Sequence, residues 1–353
     1  MIEGITLILT TQCNLNCSYC FCGEKTNEVM DIKIAKKSID FLAKNSCKNC
    51  TLTFFGGEPL LQSDLIEKIC LYATEKIKNI KFAMTTNGTL LDEKNINLIE
   101  KWKINTMVSL DGFGNKHDIY RKFYNGKGSW DVISRKISEG FLEKPSIRLT
   151  FTSESINYLY DNIRALYNEG YRKMAFSHTS KPVWEEKQLL EYDKQYEKIT
   201  KFYLDCYRRG DELRIYEFED IIFSHLLKLK RKCYPGIKQI AILPSGQVVP
   251  CHRVNFLNPQ ICLGKSVDNL EGNLINSIEN DSKKIDLECS QCLFKDRCSS
   301  CLFENLEVTG KIYSVPDYVC YFNRIKISYV DEVASILYRE NNTDFMNRFY
   351  NLL

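Results

Sequence analysis

This 353-residue sequence has few histidines, a small net charge and no long apolar run. Four histidines are too few for the usual mixed Cys/His zinc patterns. No segment approaches the roughly 18 to 20 apolar residues of a membrane span, and the N-terminus lacks the basic region and cleavage site of a signal peptide. A net charge of only +3 gives no reason to expect nucleic acid. We therefore predict a cytoplasmic protein without membrane or nucleic-acid partners.

Cysteine is the residue in excess, with sixteen copies. In a reducing cytosol such a number indicates metal or redox chemistry rather than disulfides. Because histidine is scarce, thiolates must supply most of the ligands, as they do in iron–sulfur clusters.

The first 180 residues alternate short β-branched or aromatic segments with amphipathic helical segments. Repeated strand–helix units predict a parallel sheet with ligands at the carboxyl ends of its strands. Six units are too few for a closed eight-stranded barrel. The predicted fold is α/β, a partial (β/α)6 TIM-like barrel followed by a small C-terminal cysteine-rich domain. The predicted strands span residues 5–10, 51–55, 81–86, 106–110, 147–152 and 173–177.

Changes in composition divide the chain into four predicted parts. The barrel occupies residues 1–184, and a charged helical bridge follows at 185–232. Residues 233–325 are rich in cysteine and punctuated by proline and glycine, a composition typical of a small domain held by metal. Residues 326–353 are predicted as a C-terminal helix.

The loop after the first strand contains Cys13-x3-Cys17-x2-Cys20. Three thiolates within eight residues can hold three irons of a [4Fe-4S] cubane and leave the fourth iron open, as catalysis requires. A zinc knuckle, or a cluster with a distant fourth cysteine, is the structural alternative.

This loop resembles the signature of the radical S-adenosylmethionine (SAM) superfamily. Gly56-Gly57-Glu58-Pro59, at the end of the second predicted strand, is similar to the family's segment that binds the methionine amino group of SAM. Polar residues that end later strands resemble the rest of the SAM pocket, and Arg148 resembles the arginine that pairs with the SAM carboxylate. The resemblance assigns SAM contacts to Tyr19, Phe21, Gly56, Gly57, Glu58, Thr86, Asn87, Ser109, Asp111 and Arg148.

The C-terminal cysteines resemble the SPASM extension of this superfamily, which carries auxiliary iron–sulfur clusters. The central block is Cys289-x2-Cys292-x5-Cys298-x2-Cys301, one residue shorter at its last spacing than the usual pattern. Zinc knuckles are the alternative, since C-x2-C pairs also suit zinc. The resemblance assigns Cys233, Cys251 and Cys301 to one auxiliary cluster and Cys289, Cys292, Cys298 and Cys320 to the other.

The first auxiliary set lacks an evident fourth ligand. Some relatives have a cysteine six residues before the position of Cys233, where this sequence has Leu227. Two alternatives remain: this cluster has an open iron, or Cys262 supplies the ligand.

The resemblance implies reductive cleavage of SAM, followed by hydrogen abstraction from a substrate by a 5'-deoxyadenosyl radical. The expected substrate is a peptide or protein, and we expect thioether or carbon–carbon crosslinking in a ribosomally made peptide. An anaerobic sulfatase-maturing enzyme, which makes formylglycine from Cys or Ser, is the alternative. That branch places an Asp directly after the cysteine equivalent to Cys251, where this sequence has His252. A second alternative is a non-catalytic iron–sulfur carrier or zinc adaptor, although a carrier needs no SAM pocket.

The resemblance also implies protein partners. A flavodoxin or ferredoxin would supply electrons. Because the barrel begins by about residue 5, a separate leader-binding protein is one way to recognise a peptide substrate. No catalytic residue is assigned beyond the SAM cluster. His178, at the end of the sixth predicted strand, is either a proton acceptor or polar surface.

Overall fold

The computed structural model describes residues 1–22, 25–140, 144–229, 233–254, 261–272, 276–278, 280, 283–285 and 289–351, without the side chains of residues 46–48. The chain forms two compact units. The first comprises Met1–Ser109, His117–Pro145 and Tyr234–Asn280, and the second comprises Leu110–Lys116, Ser146–Cys233 and Asp281–Leu353.

Strands and helices alternate along most of the described chain. In chain order, the strands are β1 (Ile2–Thr10), β2 (Ser46–Gly56), β3 (Ile80–Thr86), β4 (Asn105–Ser109), β5 (Ser146–Phe151), β6 (Lys173–His178), β7 (Arg214–Ile215), β8 (Gln239–Ile242), β9 (Val248–Val249), β10 (Gly264–Ser266) and β11 (Asn269–Leu270). The described helices are α1 (Ile32–Asn45), α2 (Ser63–Lys76), α3 (Glu93–Lys101), α4 (Asn115–Asp118), α5 (Trp130–Gly140), α6 (Leu159–Asn168), α7 (Glu186–Arg209), α8 (Tyr216–Leu226), α9 (Leu302–Thr309), α10 (Asp317–Arg339) and α11 (Thr343–Phe349).

The first unit is built on a parallel ladder in which β1, β2, β3 and β4 are successive neighbours. On its other edge β1 pairs in parallel with β8, and the short strands β9, β10 and β11 continue as antiparallel pairs. Leu7, Ile8 and Leu9 of β1 are fully buried because the strand has neighbours on both edges. The loop that follows β1 therefore starts from a rigid point at the centre of the unit.

The second unit combines the parallel strands β5, β6 and β7 with long helices. Its core is aromatic: Tyr192, Tyr196 and Tyr203 of α7 are buried, and the ring of Tyr192 stacks on Phe322 of α10 with centroids 3.9 Å apart. Amphipathic periodicity accounts for this, since the buried tyrosines recur on one face of α7.

All six predicted strands are present, as β1 to β6, and the predicted α/β class is confirmed. Residues 234–280 group with the first unit because β8 extends its sheet beside β1. The four-part division at residues 184, 232 and 325 stays a prediction. Among the described helices, none is both long and apolar enough to cross a membrane.

A buried carboxylate joins two parts of the second unit. Glu219 of α8 is 4% exposed and forms ion pairs with Arg214 of β7 at 3.0 Å and with Arg348 of α11 at 2.6 Å. Removing the shared anion leaves two partly buried guanidinium groups, 33% and 24% exposed, without their counter-charge.

We expect Glu219→Ala to lower the free energy of unfolding by about 3 kcal/mol. Glu197→Ala is the matched control, because Glu197 pairs with Lys201 on the exposed face of α7, and such pairs contribute under about 1 kcal/mol. Urea unfolding of both variants beside the parent protein measures the difference. Equal losses in the two variants would contradict the assigned role of Glu219.

Candidate active site

The loop after β1 carries Cys13, Cys17 and Cys20 and is fixed by backbone hydrogen bonds at several points. The N–H of Cys20 donates to the carbonyl of Cys17 at 3.1 Å, which closes a turn between two of the three cysteines. The N–H of Asn16 donates to the carbonyl of Lys122 at 2.7 Å, and that of Ser18 to the carbonyl of Tyr120 at 3.2 Å. The three thiols are therefore presented by an anchored loop.

The two glycines at the end of β2 pack directly against this loop. The N–H of Gly57 donates to the carbonyl of Thr10 at 2.9 Å, and that of Glu58 donates to the carbonyl of Gln12 at 2.8 Å. A Cβ at Gly57 would lie 1.9 Å from the Gln12 oxygen, and one at Gly56, where φ is +151°, would lie 2.4 Å from the Thr10 oxygen. Glycine is required here because two backbones meet without room for a side chain.

Glu58 lies at the junction of the strand ends and is fully buried. One carboxylate oxygen accepts hydrogen bonds from the Leu60 N–H at 3.0 Å and the Thr86 hydroxyl at 2.7 Å, and the other accepts from the Asn87 N–H at 2.7 Å. Burial raises the pKa of Glu58 to about 7, against the opposing effect of these donors. The carboxylate thus ties the end of β2 to the end of β3.

The cysteine loop gives its thiols different proton affinities. Burial raises the pKa of Cys13, whereas a hydrogen bond with the Cys22 side chain lowers the pKa of Cys20 to about 6, aided by the charges of Lys25 and Arg121. Cys20 therefore ionises readily, as a metal-binding thiolate must.

Two aromatic side chains of the loop face different neighbours. Tyr19 packs against Tyr120, with ring centroids 5.7 Å apart, and the Arg121 guanidinium lies 5.4 Å from its ring. Phe21 is 43% exposed and lies near Phe55 of β2, at 6.3 Å between centroids. No contact described here tests the predicted adenine contacts of Tyr19 and Phe21, which stay predictions.

The ring of His252 packs near two aromatic rings of the first unit. Its ring centroid lies 4.8 Å from that of Phe55 and 6.4 Å from that of Phe21. Phe55 directly precedes the two glycines, so His252 lies beside the strand end that contacts the cysteine loop. Its Nδ1 lies 3.8 Å from the Cys251 sulfur.

The remaining predicted SAM contacts lie in both units. Ser109 ends β4 of the first unit and is buried. In the second unit, one carboxylate oxygen of Asp111 accepts a hydrogen bond from the Thr150 N–H at 2.9 Å. Arg148 donates to the Ser177 hydroxyl at 2.8 Å and lies 3.7 Å from a carboxylate oxygen of Glu217. The assignment of Ser109, Asp111 and Arg148 to SAM stays a prediction.

Four of the predicted auxiliary ligands gather in the second unit. Burial, together with the charges of Cys320, Cys289 and Cys292, raises the pKa of Cys298 to about 11. The N–H of Cys292 donates to the carbonyl of Cys289 at 2.9 Å, which closes the turn of the first C-x2-C pair. These cysteines are near enough for their charges to act on Cys298, and their assignment to one auxiliary cluster stays a prediction.

The other predicted auxiliary set is divided between the units. In the second unit, partial desolvation of the Cys233 thiol and the charge of Cys301 raise the pKa of Cys233. Cys251 belongs to the first unit, as does Cys262. The Cys262 thiol donates to the Gly264 carbonyl at 3.2 Å and accepts from the Gly264 N–H at 3.3 Å, so it bonds to the start of β10. Its role as a fourth ligand stays a prediction.

The side chain of His178 is partly buried and contacts Glu304 and several aromatic rings, and its role as proton acceptor or polar surface stays open. It lies 2.7 Å from a carboxylate oxygen of Glu304, which also accepts a hydrogen bond from Tyr318 at 2.8 Å. Rings of Trp184 and Phe322 pack against it.

The donor set of the loop after β1 fits an iron–sulfur cluster. In the part of the chain that the structure describes, no three Cys, His, Asp or Glu side chains converge on a single-ion site. A cubane distributes its thiolates over different irons, so three cysteines of one anchored loop suit it without such convergence. Cys13 and Cys20 are near enough for the charge of one to raise the pKa of the other.

Sequence reasoning missed several residues that hold this site. Arg121 and Tyr120 lie in a segment with no motif, and only the folded chain places them beside Tyr19. Asn14 lies between Cys13 and Cys17 and contacts the side chains of Asn87 and Thr89. The polar side chains next to the end of β3 were the available signal.

Comparison with known proteins adds a family and close structural likenesses. The sequence model described as "Radical SAM superfamily" matches residues 7–139. An uncharacterized protein of Methanocaldococcus jannaschii is 33% identical over 284 residues, which cover 73% of this chain and 98% of the relative. A cysteine-type anaerobic sulfatase-maturating enzyme of Clostridium perfringens is 24% identical over 323 residues, covering 82% of this chain and 86% of the relative. The solved structure of anSMEcpe with bound AdoMet and the Cp18Cys peptide matches with a TM-score of 0.79 at 18% identity, covering 95% of this chain and 99% of that one.

The contact between the glycines of β2 and the cysteine loop generates a prediction. Gly57→Ala should force the two backbones apart, destabilise the protein by about 2 kcal/mol and reduce the iron bound after anaerobic reconstitution. Gly272→Ala is the control, because a Cβ there meets nothing within 4 Å. Iron and sulfide per chain and urea unfolding measure both effects. Iron loading of Gly57→Ala equal to that of the parent protein would show that the contact is dispensable.

Proposed function

Since the chain belongs to the radical SAM superfamily, we propose that it cleaves SAM at the loop of Cys13, Cys17 and Cys20 and modifies a peptide residue. We further propose that the product is a thioether or carbon–carbon crosslink in a ribosomally made peptide. The bound cluster and SAM supply the hard chemistry, a 5'-deoxyadenosyl radical that abstracts hydrogen.

One observation carries the SAM-cleaving part of the proposal: the cysteine loop, the glycines of β2 and the polar end of β3 form one hydrogen-bonded assembly. Gly57 and Glu58 bond the loop backbone, and Glu58 bonds Thr86 and Asn87. This assembly anchors the loop that carries the thiols, and the buried carboxylate of Glu58 is near enough to Cys13 for its charge to raise the pKa of that thiol. A carboxylate suits the ammonium of an amino acid such as SAM.

Similarity to a solved structure supports the proposed peptide substrate. The solved structure of anSMEcpe contains both AdoMet and a peptide, and this chain matches it over nearly its whole length. The electrons would come from a reducing protein such as flavodoxin or ferredoxin, and leader recognition by a separate protein is part of the same proposal. We also propose two auxiliary clusters at the C-terminal cysteines, with Cys289, Cys292, Cys298 and Cys320 as one ligand set.

His252 favours crosslinking over formylglycine formation. The residue after Cys251 is an imidazole packed on Phe55, where the sulfatase-maturing branch has an aspartate. Formylglycine formation remains the second candidate, favoured by the 24% identity to the sulfatase-maturating enzyme over most of both chains.

The first test concerns the cysteine loop. Cys17→Ala should abolish formation of 5'-deoxyadenosine from SAM under reducing anaerobic conditions, because two thiolates cannot hold the cluster with an open iron. Cys70→Ala is the matched control, since Cys70 is a buried core thiol of α2. Chromatography of the reaction mixture quantifies 5'-deoxyadenosine. Continued production by Cys17→Ala would refute the assigned site.

The second test concerns the bond formed. Incubation with a cysteine-containing peptide encoded near the gene should give a product that has lost two hydrogens and kept its sulfur. Formylglycine from cysteine would instead lose the sulfur and react with a hydrazide. Tandem mass spectrometry with hydrazide labelling separates the two products. A labelled product without sulfur would overturn the crosslinking proposal and support the second candidate.

A further inference from the structure

A ring of polar side chains, two of them buried, connects the end of β3 to the cysteine loop. Asn87 Nδ2 lies 2.8 Å from Asn14 Oδ1, and Asn14 Nδ2 lies 2.7 Å from Thr89 Oγ1. Thr89 Oγ1 lies 2.7 Å from Asn87 Oδ1, which closes the ring. Asn87 Nδ2 also lies 3.9 Å from the sulfur of Cys13. Asn87 and Thr89 are 7% and 4% exposed.

The direction of every hydrogen bond in this ring follows from one backbone group. The Thr89 N–H can only donate, and it donates to the Asn87 side-chain oxygen at 3.0 Å. The amide nitrogen of Asn87 must therefore face Asn14 and Cys13. The Thr89 hydroxyl uses its hydrogen on Asn87, so it accepts from Asn14. The donor and the acceptor of every hydrogen bond in the ring are therefore defined, and one N–H of Asn87 faces the Cys13 sulfur.

Asn87 is also unable to turn away from this position. Its backbone N–H donates to the buried carboxylate of Glu58 at 2.7 Å. A flipped side-chain amide would place its NH2 against the Thr89 N–H and its oxygen against Asn14 Oδ1. Both contacts would pair like partners in a buried site, where an unmade hydrogen bond is costly.

From this geometry we infer that Asn87 donates an N–H to the Cys13 thiolate and thereby raises the reduction potential of the cluster bound there. The inference rests on the proposed function, which makes Cys13 a cluster ligand. Hydrogen bonds to ligand sulfurs set the potentials of iron–sulfur clusters, because reduction adds negative charge that an N–H dipole stabilises. Both amide hydrogens of Asn87 are used within the protein, so it acts through Cys13 and not as a catalytic residue.

Among the contacts of the described residues, Asn87 provides a side-chain donor to this sulfur. The Leu15 N–H also lies 3.5 Å from the Cys13 sulfur, but it is a backbone group that no ordinary substitution removes. Replacing Asn87 therefore removes the side-chain donor and leaves this backbone donor in place.

The test is an EPR-monitored redox titration of the reconstituted holoenzyme, following the [4Fe-4S] signal that changes when SAM is added. Asn87→Leu keeps the shape of the side chain without its N–H groups, and it should shift the midpoint potential to a more negative value. Asn87→Asp keeps an acceptor for the Thr89 N–H and replaces the donor with an anion, so its shift should be larger. Asn95→Leu is the matched control, because Asn95 is a buried amide of the same unit that donates to the Leu90 carbonyl.

The outcomes separate this inference from the proposed function. Absence of any SAM-sensitive signal in the parent protein would refute the proposed function. A loaded Asn87→Leu or Asn87→Asp variant with the parent potential would refute the inference alone. Loss of the signal in both Asn87 variants, with Asn95→Leu loaded normally, would also refute it, because Asn87 would then retain the cluster rather than tune it. An unchanged potential in Asn95→Leu completes the supporting result.

Discussion

The buried carboxylate of Glu58 is the interaction on which the arrangement of the site depends. It binds the strand ends of β2 and β3 together through Thr86 and Asn87, while its own N–H is bonded to the cysteine loop. Burial of this carboxylate is costly, as its raised pKa indicates. Three hydrogen-bond donors offset the cost of burying the carboxylate, and they reach it only in the observed alignment of β2 and β3. Any other alignment of these strands would leave the carboxylate buried without its donors.

The thiols of the cysteine loop lie in different electrostatic environments. Cys20 is stabilised as a thiolate by Cys22, Lys25 and Arg121, whereas burial disfavours the thiolate of Cys13. Cys13 is the thiol that the Asn87 amide faces. Neighbouring dipoles and charges therefore differ from sulfur to sulfur, and such differences are what a protein uses to adjust a metal centre without changing its ligands.

Much of the alternation of strands and helices in both units was predictable because its signals are local. Alternating strand and helix patterns gave β1 to β6, since each depends on periodicity within a few residues. The glycines of β2 were expected to let a ligand approach the backbone. In the structure they allow the backbone of Thr10 and Gln12 to approach closely. This contact joins segments more than 40 residues apart in sequence. No local pattern reports such a partner, and none reported that β8 would return to pair with β1.

The sequence alone determined the α/β class, the three-cysteine loop and the unusual number of thiols, because residue type and short spacing set ligand chemistry and strand periodicity. Only the tertiary structure decided which polar groups surround those thiols. It brought Arg121 beside Tyr19, His252 onto Phe55 and the amide of Asn87 toward Cys13. The physical reason is that burial and electrostatic environment depend on neighbours distant in sequence, and those neighbours exist only once the chain has packed.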